Sequence, residues 1–384
     1  MSDGPMSPAS PAPRVCLVGP LPPPAGGMAN QCEQLARLLR AEGVVVELVR
    51  TNAPYRPAWV GRIPMLRALF RLLPYLCQLW RAIGRSEVVH VLANSGWAWH
   101  LLAAPALTLA RWRGRPAIVN YRGGHAAEFF ERAPRHVLRT LRGVALRVTP
   151  SAFLQRVFAA HGMEAAIIPN IIDLSRFARR VPAPFGDAPH LIVTRNLEAL
   201  YDNATALRAF ARVRERFPGA RLTVAGRGPE LGALQALSRD LGVQEAVRFA
   251  GGMDNAAMAQ LYAQADCMLN PSTVDNMPIS ILESFASGVP VVSTRAGGIP
   301  DMLTHGRTGS LVDIGDDAAM AREALALLGD AALRQARIDA AHAEAQRYAW
   351  PAVRSQWLAA YAEVARSARR TLRPVGQART GGEG

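Results

Sequence analysis

Short β-branched segments alternate with helical segments through most of this chain, and that alternation strongly limits its fold. Apolar runs that end in Gly, Pro or polar residues are typical of buried parallel strands. The clearest of these runs lie at residues 14–19, 44–49, 88–93, 117–121 and 147–150, and then at residues 190–194, 221–226, 247–250, 267–270 and 291–294. Strands that alternate with helices form doubly wound parallel sheets, so the sequence predicts an α/β protein with two such domains.

The two series of strands are separated by residues 176–188, which are rich in Arg, Pro and Gly and predict an interdomain linker. The expected domains cover residues 14–180 and 186–346. The Pro/Ser-rich segment 1–13 and the Arg/Gly-rich segment 369–384 are predicted to be disordered tails. Because ligands bind beyond the carboxyl ends of parallel strands, we expect the site in a cleft between the domains.

All 44 basic residues are arginine, because the sequence contains no lysine. This excludes a pyridoxal phosphate Schiff base and a Walker phosphate loop, both of which need a lysine. The formal net charge of +14 favours anionic partners, although arginines spread over many helix faces would give the same value. The four cysteines show neither metal-ligand spacing nor a disulfide framework, and Cys16 and Cys267 are predicted to be core thiols.

The sequence predicts a cytoplasmic protein. The N-terminal segment lacks the charged and apolar regions of a signal peptide. The longest charge-free apolar run, residues 97–110, is too short to cross a bilayer.

Residues 63–85 predict an amphipathic helix with a broad apolar face and a basic edge. The basic edge carries Arg67, Arg71, Gln78, Arg81 and Arg85. Pro74 is expected to kink the helix. A wide apolar face with a basic edge suits a helix that lies in the surface of an anionic membrane. The same pattern fits a helix that packs on the sheet with its arginines in water, and the sequence leaves both interpretations open.

Two loops of the first domain carry candidate ligand contacts. Gly26 and Gly27 follow the first strand and open a helix, where a backbone can approach a phosphate or sugar closely; an ordinary turn is the alternative. Arg122, Gly123 and His125 follow the fourth strand. Arg122 could contact phosphate. His125 could carry a proton or hydrogen-bond a sugar, although a lone histidine is more often structural.

Two loops of the second domain carry further candidates. Arg195 ends the first strand of this domain, and its guanidinium could bind a diphosphate through two hydrogen bonds. Pairing with a nearby carboxylate such as Glu198 is the alternative. Arg227 and Gly228 lie in a tight strand-to-helix turn that could approach a nucleotide.

The segment at residues 269–301 holds two carboxylates, Asp275 before a helix and Glu283 within it, and ends in Gly297 and Gly298. A carboxylate accepts hydrogen bonds from adjacent hydroxyls, so a ribose or hexose diol is its natural ligand. Two such carboxylates could hold the two sugars of a nucleotide-sugar. Helix capping by Asp275 and an exposed Glu283 are the alternative.

Several motifs in this chain occur together in one known family. They are Pro271-Ser272, Asp275, Pro278, Leu282-Glu283-Ser284, Ala286 to Thr294 and Gly297-Gly298-Ile299-Pro300, with support from Gly226-Arg227-Gly228-Pro229, Pro169 to Asp173 and Thr308-Gly309. Together they resemble the donor-site signature of the retaining glycosyltransferases of family four. The likeness covers about residues 14–365. It implies the GT-B fold, in which two Rossmann-like domains face a central cleft.

The resemblance implies a hexosyltransferase that moves a sugar from a UDP- or GDP-linked donor to a glycan or lipid-linked acceptor, in surface polysaccharide or glycolipid synthesis. It implies no cofactor and no metal, and the chain contains no Asp-x-Asp motif. The first domain would bind the acceptor and the second the donor. A C-terminal helix at about residues 348–368 would return to the first domain.

The resemblance also implies residue roles. Glu283 would hold the ribose diol, Asp275 the donor sugar and Arg195 the phosphates. Asp275, Arg195 and His125 form the predicted catalytic set. The predicted donor contacts are Glu283, Gly297, Gly298, Arg227, Gly228, Asn276, Met277, Pro278 and Ile279, and the predicted diphosphate and acceptor contacts are Gly26, Gly27, Arg122 and Gly123.

Three departures from the family pattern stand out. Asp275 replaces the usual glutamate, so its carboxylate reaches about one methylene less far. The usual phosphate-binding lysine after Arg195 is missing, and Leu200-Tyr201-Asp202 fill that region. The usual His-Gly after the fourth strand is replaced by Arg122-Gly123-Gly124, with His125 displaced.

The expected reaction retains the anomeric configuration, with the leaving diphosphate stabilised by Arg195 and helix N-termini. A sugar-nucleotide epimerase of the same architecture is one alternative. A non-catalytic protein that binds an anionic membrane is another. Nucleic acid is not an expected partner, because no basic surface with interleaved aromatic residues is visible.

Overall fold

The computed structural model describes residues 13–23, 26–53, 64–179 and 186–371. The two predicted tails therefore lie largely outside the described residues. Residues 180–185 of the predicted linker and Ile63 at the start of the predicted amphipathic helix lie outside them as well.

Two six-stranded sheets, parallel throughout, form the framework, as the alternation of segments predicts. The first has the strand order β2-β1-β3-β4-β5-β6 and the second β12-β11-β10-β7-β8-β9. The strands of the first sheet are β1 (Val15–Gly19), β2 (Val46–Arg50), β3 (Val88–Ala93), β4 (Ala117–Tyr121), β5 (Leu146–Thr149) and β6 (Ala166–Ile167). Those of the second are β7 (His190–Val193), β8 (Arg221–Ala225), β9 (Val247–Gly251), β10 (Cys267–Asn270), β11 (Val291–Thr294) and β12 (Ser310–Val312).

Helices cover both faces of each sheet. Those of the first half are α1 (Gly27–Ala41), α2 (Pro64–Arg85), α3 (Ala104–Trp112), α4 (Ala126–Arg132), α5 (Arg135–Arg142) and α6 (Ala152–Ala160). Those of the second half are α7 (Asn203–Arg216), α8 (Leu231–Asp240), α9 (Asn255–Ala263), α10 (Ile279–Ser287), α11 (Asp317–Gly329), α12 (Ala331–Ala345) and α13 (Trp350–Thr371). Because both faces are covered, every residue of β1, β3 and β4 is buried.

The predicted strand bounds can be compared directly with the observed ones. The predicted bounds of β3, β4, β10 and β11 agree with the structure, and the other strands differ by one or two residues at an end. Cys16 and Cys267 are buried free thiols, as predicted.

The amphipathic segment forms α2, and Pro74 lies inside it without ending it. Tyr75, Leu79 and Ile83 are buried in the core beneath the first sheet, at the spacing of one helix face. Leu73 and Trp80 of the same helix are exposed. Packing on the sheet therefore uses one part of the apolar face and leaves another part open to solvent.

The last helix crosses back to the first sheet. Trp357 and Tyr361 of α13 are buried in one core with β1 and α1. The Trp357 ring stacks on the imidazole of His90 with centroids 4.7 Å apart, and His90 Nδ1 lies 2.7 Å from the Tyr361 hydroxyl. Burial lowers the pKa of His90 to about 3, so the ring is neutral. The helix continues to Thr371, three residues into the segment predicted as a tail.

The packing of α13 predicts the effect of removing its central side chain. Trp357→Ala should lower the free energy of unfolding by about 3–5 kcal/mol, because a large aromatic side chain is lost from a closed core. Urea unfolding followed by circular dichroism measures this. Trp112→Ala is the matched control, since Trp112 is 73% exposed, and it should change the value by less than about 0.5 kcal/mol. Equal losses in the two variants would contradict the described docking of α13.

Candidate functional site

The carboxyl ends of the two sheets line opposite walls of one cleft, as expected for parallel α/β domains. Its cavity measures about 350 Å³. The first domain contributes the loops after β1, β3, β4, β5 and β6, and the second those after β7, β8, β9 and β10. The predicted residues that line it are Gly26, Gly27, Arg122, Arg195, Asp275, Asn276, Met277, Pro278, Ile279 and Glu283.

The strand order explains why these loops meet. The order reverses between β1 and β3 in the first sheet and between β7 and β10 in the second. At such a switch point the loops run in opposite directions and leave a crevice. Gly26 and Gly27 follow β1, whereas Arg195 follows β7 and Asp275 follows β10. Residues 80 positions apart in the sequence are thereby brought into contact.

Arg195 and Asp275 form a largely buried ion pair through Nη2 and Oδ2. Their side chains are 12% and 13% exposed. A second guanidinium nitrogen, Nη1, lies 3.4 Å from Ser280 Oγ in the first turn of α10. Burial raises the pKa of Asp275 above its ordinary value, and the Arg195 charge opposes that rise. The carboxylate partner of Arg195 is thus Asp275, and the sequence-based alternative, Glu198, instead accepts a hydrogen bond from Asn196.

Glu283 faces the cleft from α10, one turn beyond Ile279, which also lines the cleft. Burial raises the pKa of Glu283 to about 7, while the neighbouring Tyr262 hydroxyl and the Arg195 charge oppose this rise. The Tyr262 hydroxyl is fixed by Thr194 Oγ1 at 2.8 Å and by the Ser280 carbonyl at 3.0 Å. The helix-cap alternative does not apply to this pair, because Pro278 is the N-cap of α10 and makes no side-chain cap bond.

Two helix N-termini open into the cleft from opposite walls. α10 begins after Pro278, and α1 begins after Gly26, whose side-chain-free backbone leaves the first turn open. Unpaired backbone N–H groups at a helix start attract anions. Together with Arg195 they provide positive potential at the middle of the cleft, where a diphosphate could bind.

Glycines let the loops of the second domain pack against one another. A Cβ at Gly226 would lie 2.0 Å from the Arg195 carbonyl oxygen, and a Cβ at Gly297 would lie 2.0 Å from the Asp275 carbonyl oxygen. Gly297 also has a φ of +51°, which disfavours other residues. The Gly298 amide donates to the Asp275 carbonyl at 2.9 Å. The two ends of the ion pair are therefore each supported by a glycine-bearing turn.

Hydrogen bonds join the two domains beside the cleft. Arg122 Nη1 donates to Asn170 Oδ1 at 2.5 Å, and Asn170 Nδ2 donates to the Met277 carbonyl at 2.8 Å. Asn276 Nδ2 donates to the Arg122 carbonyl at 2.8 Å. Asn30 of α1 donates to Asn255 of α9 at 3.0 Å. The loop that carries Asp275 is thus fixed to the first domain. Burial lowers the pKa of Arg122 to about 10, so it remains a cation at neutral pH.

Six predicted site residues do not line the cleft: Gly123, His125, Arg227, Gly228, Gly297 and Gly298. Their predicted ligand contacts stay predictions, and Gly298 lines a neighbouring cavity. His125 is exposed, and its Nδ1 lies 2.6 Å from Glu128 Oε2 at the start of α4, four residues beyond the end of β4. Arg227 is exposed and lies along Gly252.

The four glycines among these six act in packing. A Cβ at Gly123 would lie 2.3 Å from Ser95 Oγ, and one at Gly228 would lie 2.2 Å from the Leu197 carbonyl oxygen. Gly297 and Gly298 lie behind Asp275 and Asn276, and the Gly298 amide is already engaged by the Asp275 carbonyl. Sequence motifs containing glycine do not distinguish a turn that touches a ligand from a turn that supports one.

Sequence reasoning missed several residues of the site. Asn170, Asn30 and Asn255 join the domains through side-chain amides, and Tyr201 lies against Arg195. The signal for Asn170 was the motif at residues 169–173, which contributed to the resemblance without a stated role. In the sequence, Tyr201 was noted only because it lies where the family usually has a phosphate-binding lysine, and it had no predicted role. Nothing local to the sequence pairs Asn30 with Asn255, which are 225 positions apart.

Within the described ranges, no three His, Cys, Asp or Glu side chains are grouped as metal ligands, and the expected absence of a metal remains a prediction. The helices in the described part of the chain are also too short or too polar to pass through a bilayer.

Comparison with protein families gives two matches. A model described as Glycosyltransferase Family 4 matches residues 25–176, and a model described as Glycosyl transferases group 1 matches residues 189–330. The two matches fall on the halves of the chain that form the two sheets.

Individual proteins match over most of the chain. A GDP-mannose-dependent alpha-(1-6)-phosphatidylinositol monomannoside mannosyltransferase of Mycolicibacterium smegmatis is 30% identical over 80% of this chain and 87% of its own length. A phosphatidyl-myo-inositol mannosyltransferase of Mycobacterium leprae is 28% identical over 89% of this chain and 94% of its own. The structure of Anabaena HepE with UDP and glucose aligns with a TM-score of 0.69 at 16% identity, over 91% of this chain and 100% of that one, which shows a shared fold.

The raised pKa of Glu283 predicts a pH-dependent stability difference. Since the folded protein holds this proton to pH about 7 while the ordinary value is 4.5, the wild-type unfolding free energy should fall as pH rises between these values. Glu283→Gln lacks this contribution. Between pH 4.5 and pH 7, the free energy of unfolding of Glu283→Gln should therefore rise by up to about 3 kcal/mol relative to that of the parent protein.

Urea unfolding of both proteins at pH 5 and pH 8 measures this difference. Glu363→Gln, at an exposed carboxylate on α13, is the matched control and should follow the parent protein. A Glu283→Gln variant whose stability changes with pH as the parent's does would show that Glu283 is not held protonated in the folded state.

Proposed function

This chain belongs to glycosyltransferase family 4 and is a glycosyltransferase with the GT-B fold, and we propose that it transfers a hexose with retention from a nucleoside diphosphate sugar to a lipid-linked acceptor. The observation that carries the proposal is the convergence of Arg195, Glu283 and two helix N-termini on one interdomain cleft. These groups match the charges and hydroxyls of a nucleoside diphosphate sugar.

The donor lies against the second domain in this proposal. Glu283 accepts hydrogen bonds from the ribose diol, and Arg195 with the α10 N-terminus holds the diphosphate. Asp275 contacts the hexose. The relatives named for GDP-mannose make GDP-mannose the first donor to test. UDP-glucose is the second, because HepE was solved with UDP and glucose.

The transfer breaks the bond between the anomeric carbon and the diphosphate oxygen, and forms a bond from that carbon to the acceptor hydroxyl oxygen on the same face. The leaving diphosphate oxygen takes the acceptor proton. Negative charge grows on the diphosphate as the bond breaks, and Arg195 and the helix N-termini stabilise it. The hydrogen bonds that hold Arg122 to Asn170 and Asn276 keep the two substrate walls together and limit the entry of water.

The acceptor side faces an anionic membrane in this proposal, at the cytoplasmic face. Among the described residues ten large apolar side chains are exposed, and six lie on α2, α3 and the turns before α3: Phe70, Leu73, Trp80, Trp97, Leu101 and Trp112. Trp97 and Trp112 are 77% and 73% exposed. Trp and Tyr prefer the membrane–water interface.

Charge favours the same surface. Residues 64–142 hold 12 arginines and three glutamates, which gives nine of the 14 net positive charges of the chain. The turn that carries Trp97 begins at Asn94, which lines the cleft. A bilayer bound here would lie beside the cleft entrance, where a lipid-linked acceptor could reach the donor. The packing and membrane interpretations of α2 are compatible, because one part of its apolar face is buried on the sheet and another part is exposed.

A donor screen tests the transfer. GDP, UDP, ADP and their hexose conjugates are compared by thermal shift, and the best donor is then assayed for nucleotide release with and without lipid acceptor. We expect Glu283→Ala to remove the thermal shift, because the ribose loses its acceptor. Glu363→Ala, at an exposed carboxylate, should keep it.

The outcome separates the alternatives. Conversion of the donor hexose without nucleotide release would instead indicate an epimerase. Membrane binding with no nucleotide release, and unchanged in Asp275→Ala, would indicate a non-catalytic protein.

Vesicle sedimentation tests the membrane surface. The double variant Trp97→Ala/Trp112→Ala should lose about tenfold in binding to phosphatidylglycerol vesicles, because two interfacial aromatic anchors are removed. Leu231→Ala/Ile314→Ala is the matched control, since both residues are exposed on the second domain. Phosphatidylcholine vesicles should bind weakly in every case. Undiminished binding of the Trp97/Trp112 variant to anionic vesicles would rule out this surface.

A further inference from the structure

Arg195 is the cation on the donor wall of the cleft. Among the described residues that line the cleft, the cations are Arg122 and Arg195. Arg122 belongs to the opposite wall and is engaged with Asn170. Since the sequence contains no lysine, a diphosphate against the second domain depends on the placement of the Arg195 guanidinium.

The guanidinium has partners on its edge and on its face. Nη2 pairs with Asp275, and Nη1 lies near Ser280. Nε is buried and makes no hydrogen bond within the described part of the chain. The Tyr201 ring lies under the plane, with the guanidinium carbon 4.1 Å from the ring centroid. A cation at this distance over an aromatic face is attracted by the ring quadrupole.

Tyr201 is itself firmly placed. It ends a short helical turn, Ala199–Tyr201, and the next residue, Asp202, has a φ of +40° and caps α7 through Thr205. The Leu200 carbonyl accepts from Thr273 N and from Thr273 Oγ1, each at 2.9 Å. Thr273 lies two residues before Asp275. The ring and the carboxylate that contact Arg195 are therefore parts of one hydrogen-bonded wall.

We propose that Tyr201 is a positioning residue that holds the Arg195 guanidinium by its ring face at the diphosphate site, a role that rests on the proposed function. The edge contact with Asp275 competes with an anionic ligand, because a carboxylate and a phosphate use the same guanidinium edge. The ring contact does not compete, because it uses the face. When a diphosphate takes the edge, the ring keeps the guanidinium plane where the ligand needs it.

Tyr201 contacts Arg195 through its ring and not through its hydroxyl. No hydrogen bond of the Tyr201 hydroxyl to Arg195 occurs among the described residues, whereas the ring is in direct contact. Tyr201→Phe therefore retains the positioning group, and Tyr201→Leu removes it while keeping an apolar side chain. Tyr201→Trp supplies a larger ring face without the hydroxyl.

Calorimetric titration with GDP and UDP, and with guanosine and uridine, tests the proposal on the full chain. Tyr201→Leu should lose about tenfold in affinity for the diphosphate that the parent protein binds best, with the affinity for its nucleoside unchanged. Tyr201→Phe and Tyr201→Trp should stay within about twofold of the parent protein. A merely structural defect would weaken nucleoside and diphosphate alike, so the ratio of the two affinities is the deciding quantity.

The outcomes are distinct. Equal affinity ratios in the parent protein and Tyr201→Leu would overturn the role of Tyr201 and leave the proposed function intact. Loss of diphosphate affinity in Tyr201→Phe as large as in Tyr201→Leu would also overturn it, because the hydroxyl would then be the active group. A parent protein that binds none of GDP, UDP and ADP would overturn the proposed function and this role together. If Tyr201→Leu does not fold, Tyr201→Met gives the same comparison without a ring.

Discussion

The buried ion pair between Arg195 and Asp275 is the interaction on which the cleft depends. It joins the loops that follow β7 and β10, the two strands at which the second sheet reverses its order. Burying two charges is costly unless each is paired and hydrogen-bonded. Here the cost is offset by the pairing itself, by the Asn276 amide that donates to Asp275 and by the Tyr201 ring. Gly226 and Gly297 allow the backbone to approach closely enough for the pair to form.

Burial also affects Glu283, the second carboxylate of the cleft. The pKa of Glu283 is raised because burial removes its carboxyl group from water, and the Tyr262 hydroxyl and the Arg195 charge offset only part of this rise. A ligand with hydroxyls for Glu283 and negative charge for Arg195 would match the groups that line the cleft. Groups with perturbed pKa values are common at functional sites. The hydrogen bonds that Arg122 makes with Asn170 and Asn276 help to join the two walls.

Helix α2 of the first domain has both buried and exposed apolar side chains. Tyr75, Leu79 and Ile83 of α2 close the core beneath the first sheet, while Leu73 and Trp80 remain outside. Trp97 and Trp112, before and at the end of α3, are exposed as well, and α2 packs against α3. An apolar face broader than a sheet can cover is therefore divided between core packing and the surface that we assign to the membrane.

The sequence by itself determined the two doubly wound sheets and the loops at which a ligand would bind. Strands buried on both faces are mostly apolar and end at Gly, Pro or polar residues, so β3, β4, β10 and β11 could be placed to the residue. The strand ends then placed Gly26, Arg195 and Asp275 at the cleft. Only the tertiary structure decided which side chains face each other there. The partner of Arg195 is 80 residues away, and the glycines of motifs at residues 226–228 and 297–298 support the walls of the cleft more than they line it. His125 is exposed and pairs with Glu128, four residues beyond the end of β4. Pairings across long sequence separations depend on how the sheets and their loops pack, and local pattern carries no record of that packing.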